Sequence, residues 1–84
     1  MNYALLILRR AQRELAGLDR SLRPRIEHAI HGLADDPRPS GSAKLGGRDG
    51  WRIRVGDYPV IYEIDDPGRT VTILHVGHRR DVYR

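Results

Sequence analysis

The sequence predicts an α+β domain: a small antiparallel sheet with two N-terminal helices packed on one face, in the order β-α-α-β-β-β. Three observations lead there. Apolar residues recur at helical spacing between Arg9 and Leu33, they alternate after Trp51, and a stretch rich in Pro and Gly separates the two regimes. With 84 residues there is room for a single domain, 1–84. A chain this short buries roughly 60 to 65% of its unfolded surface, so its core is modest.

The elements follow in order. Tyr3 to Leu8 is short and apolar, and reads as a buried strand because helical periodicity begins only afterwards. Ala11, Leu15 and Leu18 then fall on one face of a helix that starts near Arg9 and ends between Gly17 and Asp19. Ser21 offers an N-cap for a second helix, with Pro24 in its first turn. Leu22, Ile26, Ala29, Ile30 and Leu33 form its apolar stripe, and Asp35-Asp36-Pro37 stops it. Pro37 to Gly50 is expected to be a loop.

After the loop the period becomes two. Trp51, Ile53 and Val55 alternate with Arg52 and Arg54; Tyr58, Val60, Tyr62 and Ile64 alternate with Pro59, Ile61 and Glu63; Val71 to Val76 is a third β-rich run. Gly56-Asp57 fits a two-residue type II′ hairpin turn, and Asp65 to Arg69 is the next reversal. These turns imply a register. Val55 should face Tyr58 and Arg54 should face Pro59; Ile64 should face Thr70, Ile61 should face Ile73 and Pro59 should face His75. One face then carries Trp51, Ile53, Val55, Tyr58, Val60, Tyr62, Ile64, Leu74 and Val76, enough apolar surface to seat both helices. The other carries Arg52, Arg54, Glu63 and His75, with Arg79 joining if the last strand continues in phase.

Composition narrows the function classes. Cysteine is absent, which removes disulfide and thiolate chemistry, and nothing at the N-terminus reads as a signal peptide or membrane span, so a cytoplasmic location and no membrane partner are expected. The formal charge is +4, and of 15 basic residues only Lys44 is lysine. Guanidinium groups grip phosphate with two hydrogen bonds, so nucleic acid is the natural partner class; a solvated basic surface accounts for the same composition. Arg52 and Arg54 lie roughly 7 Å apart along one strand face, which suits a backbone cradle. His28 and His31 lack further ligands at a fixed spacing, and the chain has no Gly-rich phosphate loop and no acidic cluster for a metal. No cofactor and no metal are therefore expected. RNA hydrolysis needs neither, because its 2′-OH can attack the adjacent phosphate when a base removes its proton, cations stabilise the phosphorane and an acid protonates the leaving 5′-oxygen.

The stretch Trp51-Arg-Ile-Arg-Val-Gly-Asp-Tyr58, with Val60-Ile-Tyr-Glu-Ile64 and Val76-Gly-His-Arg-Arg-Asp-Val-Tyr-Arg84, closely resembles the RelE/ParE toxin superfamily, its RelE branch in particular. The helical pair and Lys44-Leu-Gly-Gly47 extend the resemblance over nearly the whole chain. It implies the toxin of a type II toxin–antitoxin system: a ribosome-dependent, metal-independent endoribonuclease, or mRNA interferase, that leaves a 2′,3′-cyclic phosphate. It also implies a cognate antitoxin, the ribosome and mRNA as partners, with operator DNA bound only through the toxin–antitoxin complex. By this resemblance Arg52 and Arg54 contact or activate the RNA, Arg79 serves the scissile phosphate and leaving group, and Tyr83 stacks on a base or transfers a proton. Lys44 and Arg80 join the RNA-contacting set. Arginine stays protonated, so Tyr83 is the expected base and His75 or His78 the expected acid.

One position departs from the pattern. The residue after Tyr58 is usually a phosphate-stabilising arginine in these toxins, and here it is Pro59, which neither donates a hydrogen bond nor carries charge. Its missing N–H should point toward the third strand and weaken or bulge the ladder there. Arg80 or His78 is the nearest residue able to compensate. Two other readings stay open: a noncatalytic, ParE-like inhibitor of DNA gyrase, and an attenuated toxin retained as an antitoxin-binding partner.

Overall fold

Where β1 (Ala4–Ile7) lies in the sheet is decided by the far end of the chain. In the computed structural model, which describes residues 2–46 and 49–77, β1 is followed by α1 (Arg9–Ala16), α2 (Arg23–Asp35), β2 (Ala43–Lys44), β3 (Trp51–Val55), β4 (Tyr58–Asp65) and β5 (Thr70–Val76). The strands form one sheet in the order β1-β5-β4-β3-β2. All neighbouring pairs are antiparallel except β1 and β5, which run parallel with Ala4 opposite Thr70 and Ile7 opposite Ile73. A parallel pair needs a long crossover, and the two helices supply it while covering one face. None of the helices is long and apolar enough to cross a membrane among the described residues.

The predicted helices form on their predicted stripes. Ala11 and Leu15 of α1 and Ile26, Ile30 and Leu33 of α2 are buried against Ile53, Val60, Tyr62, Val71, Ile73 and Val76 of the sheet. Each such aliphatic side chain contributes about 1.5 to 3 kcal/mol on burial. The start of α2 differs from expectation. Ser21 does not cap it: its hydroxyl donates to Asp19 Oδ2 at 3.2 Å, and Leu22 stands at the N-cap. The Asp19 carbonyl instead accepts the N–H groups of Leu22 and Arg23, and Pro24 removes a donor from the first turn, so a side-chain cap has less to do.

The span from Pro37 to Gly50 is not wholly loop. Ala43 and Lys44 pair with Arg52 and Trp51 to make the two-residue edge β2, too short to leave a periodic signal. The β3–β4 hairpin has the predicted register, from Val55 opposite Tyr58 to Arg52 opposite Ile61, and Gly56 adopts φ +61° as a type II′ turn requires.

The β4–β5 register is corrected. Ile64 faces Val71 rather than Thr70, Ile61 faces His75 rather than Ile73, and the pairing shifts between Ile61 and Tyr62, where Leu74 is the extra residue. The connection is one residue shorter than expected, since Asp65 pairs with Thr70 and Arg69 closes the turn at φ 51°. Val71 and Ile73 thus take the inward positions, while Leu74 is only half-buried. The bulge then restores the phase, leaving Val76 inward and His75 outward. Pro59 faces Gly77, not His75: its carbonyl accepts the Gly77 N–H at 3.2 Å, so its missing N–H does point toward β5. It lies where β5 is ending, which is why the central strand tolerates a proline.

Candidate nucleic-acid interface

The face of the sheet away from the helices is organised in rows by the strand register. Ala43, Arg52, Ile61 and His75 form one row across four strands, and Arg54 with Pro59 begins the next. Strand spacing places the Arg52 and His75 backbones roughly 10 Å apart with Ile61 between them. Arg54 is exposed and Arg52 half-buried. The residues between the polar ends are apolar and covered: Ile61 is 0% exposed and Pro59 below 2%, and Ile61 does not belong to the core cluster beneath the helices.

His75 is held from α1. Its Nδ1 lies 3.3 Å from Glu14 Oε2, Glu14 Oε1 accepts the Val76 N–H at 2.8 Å, and Arg10 Nε stands 3.5 Å from Oε2. The topology explains why a helix residue reaches there. β1 ends at Ile7 while β5 continues to Val76, so the last backbone groups on that edge of β5 lack a strand partner. Leu8 N–H donates to the Ile73 carbonyl, and Glu14 takes over at Val76. Sequence reasoning did not find Glu14. It is the single acid of α1, but its partners lie 61 and 62 residues away, beyond any local spacing signal.

Lys44 falls elsewhere. Facing Trp51 across β2 and β3, it lies on the side opposite Arg52 and Arg54, with Nζ 6.0 Å from the Trp51 ring centroid. The Arg38 guanidinium covers the same ring at 5.1 Å and pairs with Asp66 through two hydrogen bonds of 3.3 and 2.9 Å. Tyr3 Oη donates to Asp66 Oδ1 at 2.7 Å. The hydrogen bonds from Arg38 and Tyr3 hold the Asp66 carboxyl below its ordinary range. Arg38, Lys44 and Trp51 border a groove of about 310 Å³ that is also lined by Asp49, Glu63 and Ile64.

Tyr62 belongs to the scaffold. Its hydroxyl donates to the Pro37 carbonyl at 2.7 Å, and burial pushes its pKa up to about 12. His28 and His31 are exposed on α2, and among the described residues no three His, Asp or Glu side chains gather where they could hold a metal ion. The expected site residues His78, Arg79, Arg80 and Tyr83 lie outside the described residues. The structure therefore brings together Arg52, Arg54 and His75 of the predicted set.

Two helices on one face of a five-stranded sheet, with a cationic face opposite, define the α+β scaffold of the RelE/ParE toxins. The family model described as "ParE toxin of type II toxin–antitoxin system, parDE" matches residues 5–83, and the chain belongs to this family. It is similar to Toxin RelG of Mycobacterium tuberculosis, 36% identical over 88 aligned positions that span 100% of this chain and 99% of that protein. Among solved structures, it resembles the toxin in the archaeal RelE–RelB complex from Pyrococcus horikoshii OT3, with a TM-score of 0.83 at 28% identity over 94% of this chain and 97% of that one. It also resembles the isolated RelE toxin of E. coli, with a TM-score of 0.78 at 27% identity over 96% and 90% of the two chains.

Proposed function

We propose that this toxin is a ribosome-dependent endoribonuclease that cuts mRNA by attack of the 2′-OH on the adjacent phosphate. The observation that carries this reading is the row of Arg52, Ile61 and His75, with Arg54 beside it, on the face the helices leave open. Arg52 and Arg54 grip successive phosphates, and in the transition state they oppose the charge that grows on the phosphorane. By family resemblance Arg79 serves the scissile phosphate; because arginine stays protonated, Tyr83 is assigned the 2′-OH proton and His75 or His78 returns one to the 5′-oxygen. Arg80 and Lys44 extend the contact to flanking RNA, Lys44 from the Trp51 side of the sheet. The reaction yields a 2′,3′-cyclic phosphate and a 5′-hydroxyl end.

A cognate antitoxin that covers this face is the second part of the proposal. It is supported by the similar solved toxins bound to RelB antitoxins, one of them from Pyrococcus horikoshii OT3. Operator DNA is reached only through that complex, and the toxin acts in the cytoplasm.

Pro59 favours a second reading. A fully buried, uncharged residue stands where these ribonucleases place an arginine, which suits a noncatalytic inhibitor of DNA gyrase or an attenuated toxin kept for antitoxin binding. One experiment divides them. The chain is induced in cells, new 5′ ends on mRNA are mapped, and gyrase supercoiling is assayed in the same extract. Cuts confined to translated frames, with supercoiling intact, are expected. Inhibited supercoiling without cuts sinks the ribonuclease, and neither effect leaves the antitoxin-binding role.

A further inference from the structure

We propose that Glu14 is a positioning residue that fixes the His75 imidazole as the proton donor to the leaving 5′-oxygen; this rests on the ribonuclease reading and assigns its acid. A neutral imidazole carries its proton on either nitrogen, and the hydrogen bond made by one nitrogen decides what the other can do. Here the carboxylate stands 3.3 Å from Nδ1. An ionised carboxylate only accepts, so this contact requires a proton on Nδ1 and leaves Nε2 as the nitrogen that faces substrate.

The carboxylate is itself immobilised. Oε1 is occupied by the Val76 N–H at 2.8 Å, and Arg10 Nε lies 3.5 Å from Oε2. Glu14 is therefore attached to the backbone of the residue next to the histidine it orients, so ring and carboxylate move together with the end of β5. The His75 side chain is 16% exposed, so most of the ring is held against the protein. It stands in the row of Arg52 with Ile61 between them, so one apical oxygen of a phosphate gripped by Arg52 is turned toward His75, and the proposal assigns that oxygen as the leaving 5′-oxygen.

The step balances as follows. The 2′-oxygen loses its proton to the base and forms the O2′–P bond. The P–O5′ bond breaks with its electron pair passing to O5′, and O5′ takes the Nε2 proton from the doubly protonated ring. His75 is left neutral with its proton on Nδ1, still donated to the Glu14 carboxylate, and Nε2 regains a proton from solvent. Arg79 and Tyr83 keep the roles the family resemblance gives them.

Glu14→Gln separates positioning from a purely structural cap. The amide oxygen still accepts the Val76 N–H, but the amide nitrogen then donates to Nδ1 and forces the proton of the neutral ring onto Nε2. In ¹⁵N spectra of the whole labelled protein, wild-type neutral His75 should be protonated at Nδ1 and the variant at Nε2. In single-turnover cleavage of ribosome-bound mRNA, Glu14→Gln and His75→Gln should each slow cleavage by about a hundredfold with ribosome affinity unchanged. The double variant should be no more than twofold slower than His75→Gln alone. A message with sulfur in place of the bridging 5′-oxygen has a leaving group that needs no acid, and both variants should cut it at close to the wild-type rate.

Additive losses, no rescue by sulfur, or a wild-type Nε2–H tautomer would overturn the assignment; the last needs no variant, so it holds even if Glu14→Gln fails to fold. A wild-type protein that cuts no message overturns the ribonuclease reading and this role with it. That outcome is distinct from a failed positioning role, in which wild type and Glu14→Gln cut equally well.

Discussion

Replacing Pro59 with arginine puts back the group that the family resemblance places after Tyr58, and the structure allows its effect to be worked out. Pro59 is opposite Arg54 and in the row next to Arg52 and His75, so an arginine there stands on the same face as the phosphate contacts proposed for Arg52 and Arg54. A preorganised donor at a developing oxyanion is worth about 3 to 4 kcal/mol, which predicts a gain of roughly a hundred- to a thousandfold in the cleavage step. The stability terms oppose each other. Arginine restores an N–H facing the Gly77 carbonyl, worth about 0.5 to 1.5 kcal/mol, because Pro59 and Gly77 already share the reciprocal bond of 3.2 Å. Against it stand a like charge across from Arg54, costing about 0.2 to 1 kcal/mol, and the loss of a buried ring, which the arginine methylenes replace in part. Pro59 is below 2% exposed, so any part of the guanidinium that stays covered adds a desolvation cost, and melting should fall.

The assay is single-turnover cleavage of ribosome-bound mRNA by wild type, Pro59→Arg and Pro59→Ala, with melting curves for all three. Pro59→Ala restores the N–H without the charge and should leave the rate within about threefold of wild type. A folded Pro59→Arg protein with no gain refutes the claim that this position addresses the phosphate. An equal gain in Pro59→Ala refutes the electrostatic explanation and attributes the effect to the ladder.

Tyr62→Phe should cost about 1 to 3 kcal/mol in urea unfolding, because the buried Pro37 carbonyl loses its donor. The same hydroxyl gives an alkaline signature: its folded pKa of about 12 lies above the unfolded value near 10, so its contribution is complete below pH ~10 and is lost as pH rises toward 12. Unfolding midpoints between pH 8 and 12 should fall less steeply in Tyr62→Phe. Asp66 behaves oppositely. Its lowered carboxyl contributes above the ordinary carboxylate range and loses that contribution as pH falls through the depressed value, so Asp66→Asn should flatten the acid limb of the urea midpoint against pH. Arg52→Gln and Arg54→Gln should each reduce the slope of log K against log salt for single-stranded RNA by about 0.7, and an unchanged slope in either would remove that arginine from the phosphate contacts.

What was legible in the sequence was local. Ala11 with Leu15, and Ile26 with Ile30 and Leu33, declare helical faces through spacing alone, and Gly56-Asp57 fixes the β3–β4 register because a two-residue loop leaves no slack. The next hairpin leaves slack. Its register depends on Arg69 taking a left-handed backbone that glycine next door would adopt more readily, and on an extra residue at Leu74 that no turn residue announces. Alternation still placed His75 on the open face, because the shortened turn and the bulge compensate in phase.

The same contrast governs the candidate site. Arg52 and Arg54 could be read directly, since alternate residues of one strand share a face whatever else the chain does. Lys44 could not, because its side of the sheet is decided by a two-residue strand that pairs it with Trp51. Glu14 was invisible for a deeper reason. It acts where β1 stops short of β5, so its position is set by the difference in length between two parallel strands more than sixty residues apart. That difference leaves the Val76 N–H without a strand partner, and satisfying it brings a carboxylate to the only described histidine on the cationic face. The termination of an edge strand, which looks like an imperfection of the sheet, is thus what couples the helical layer to the chemistry proposed for the opposite face.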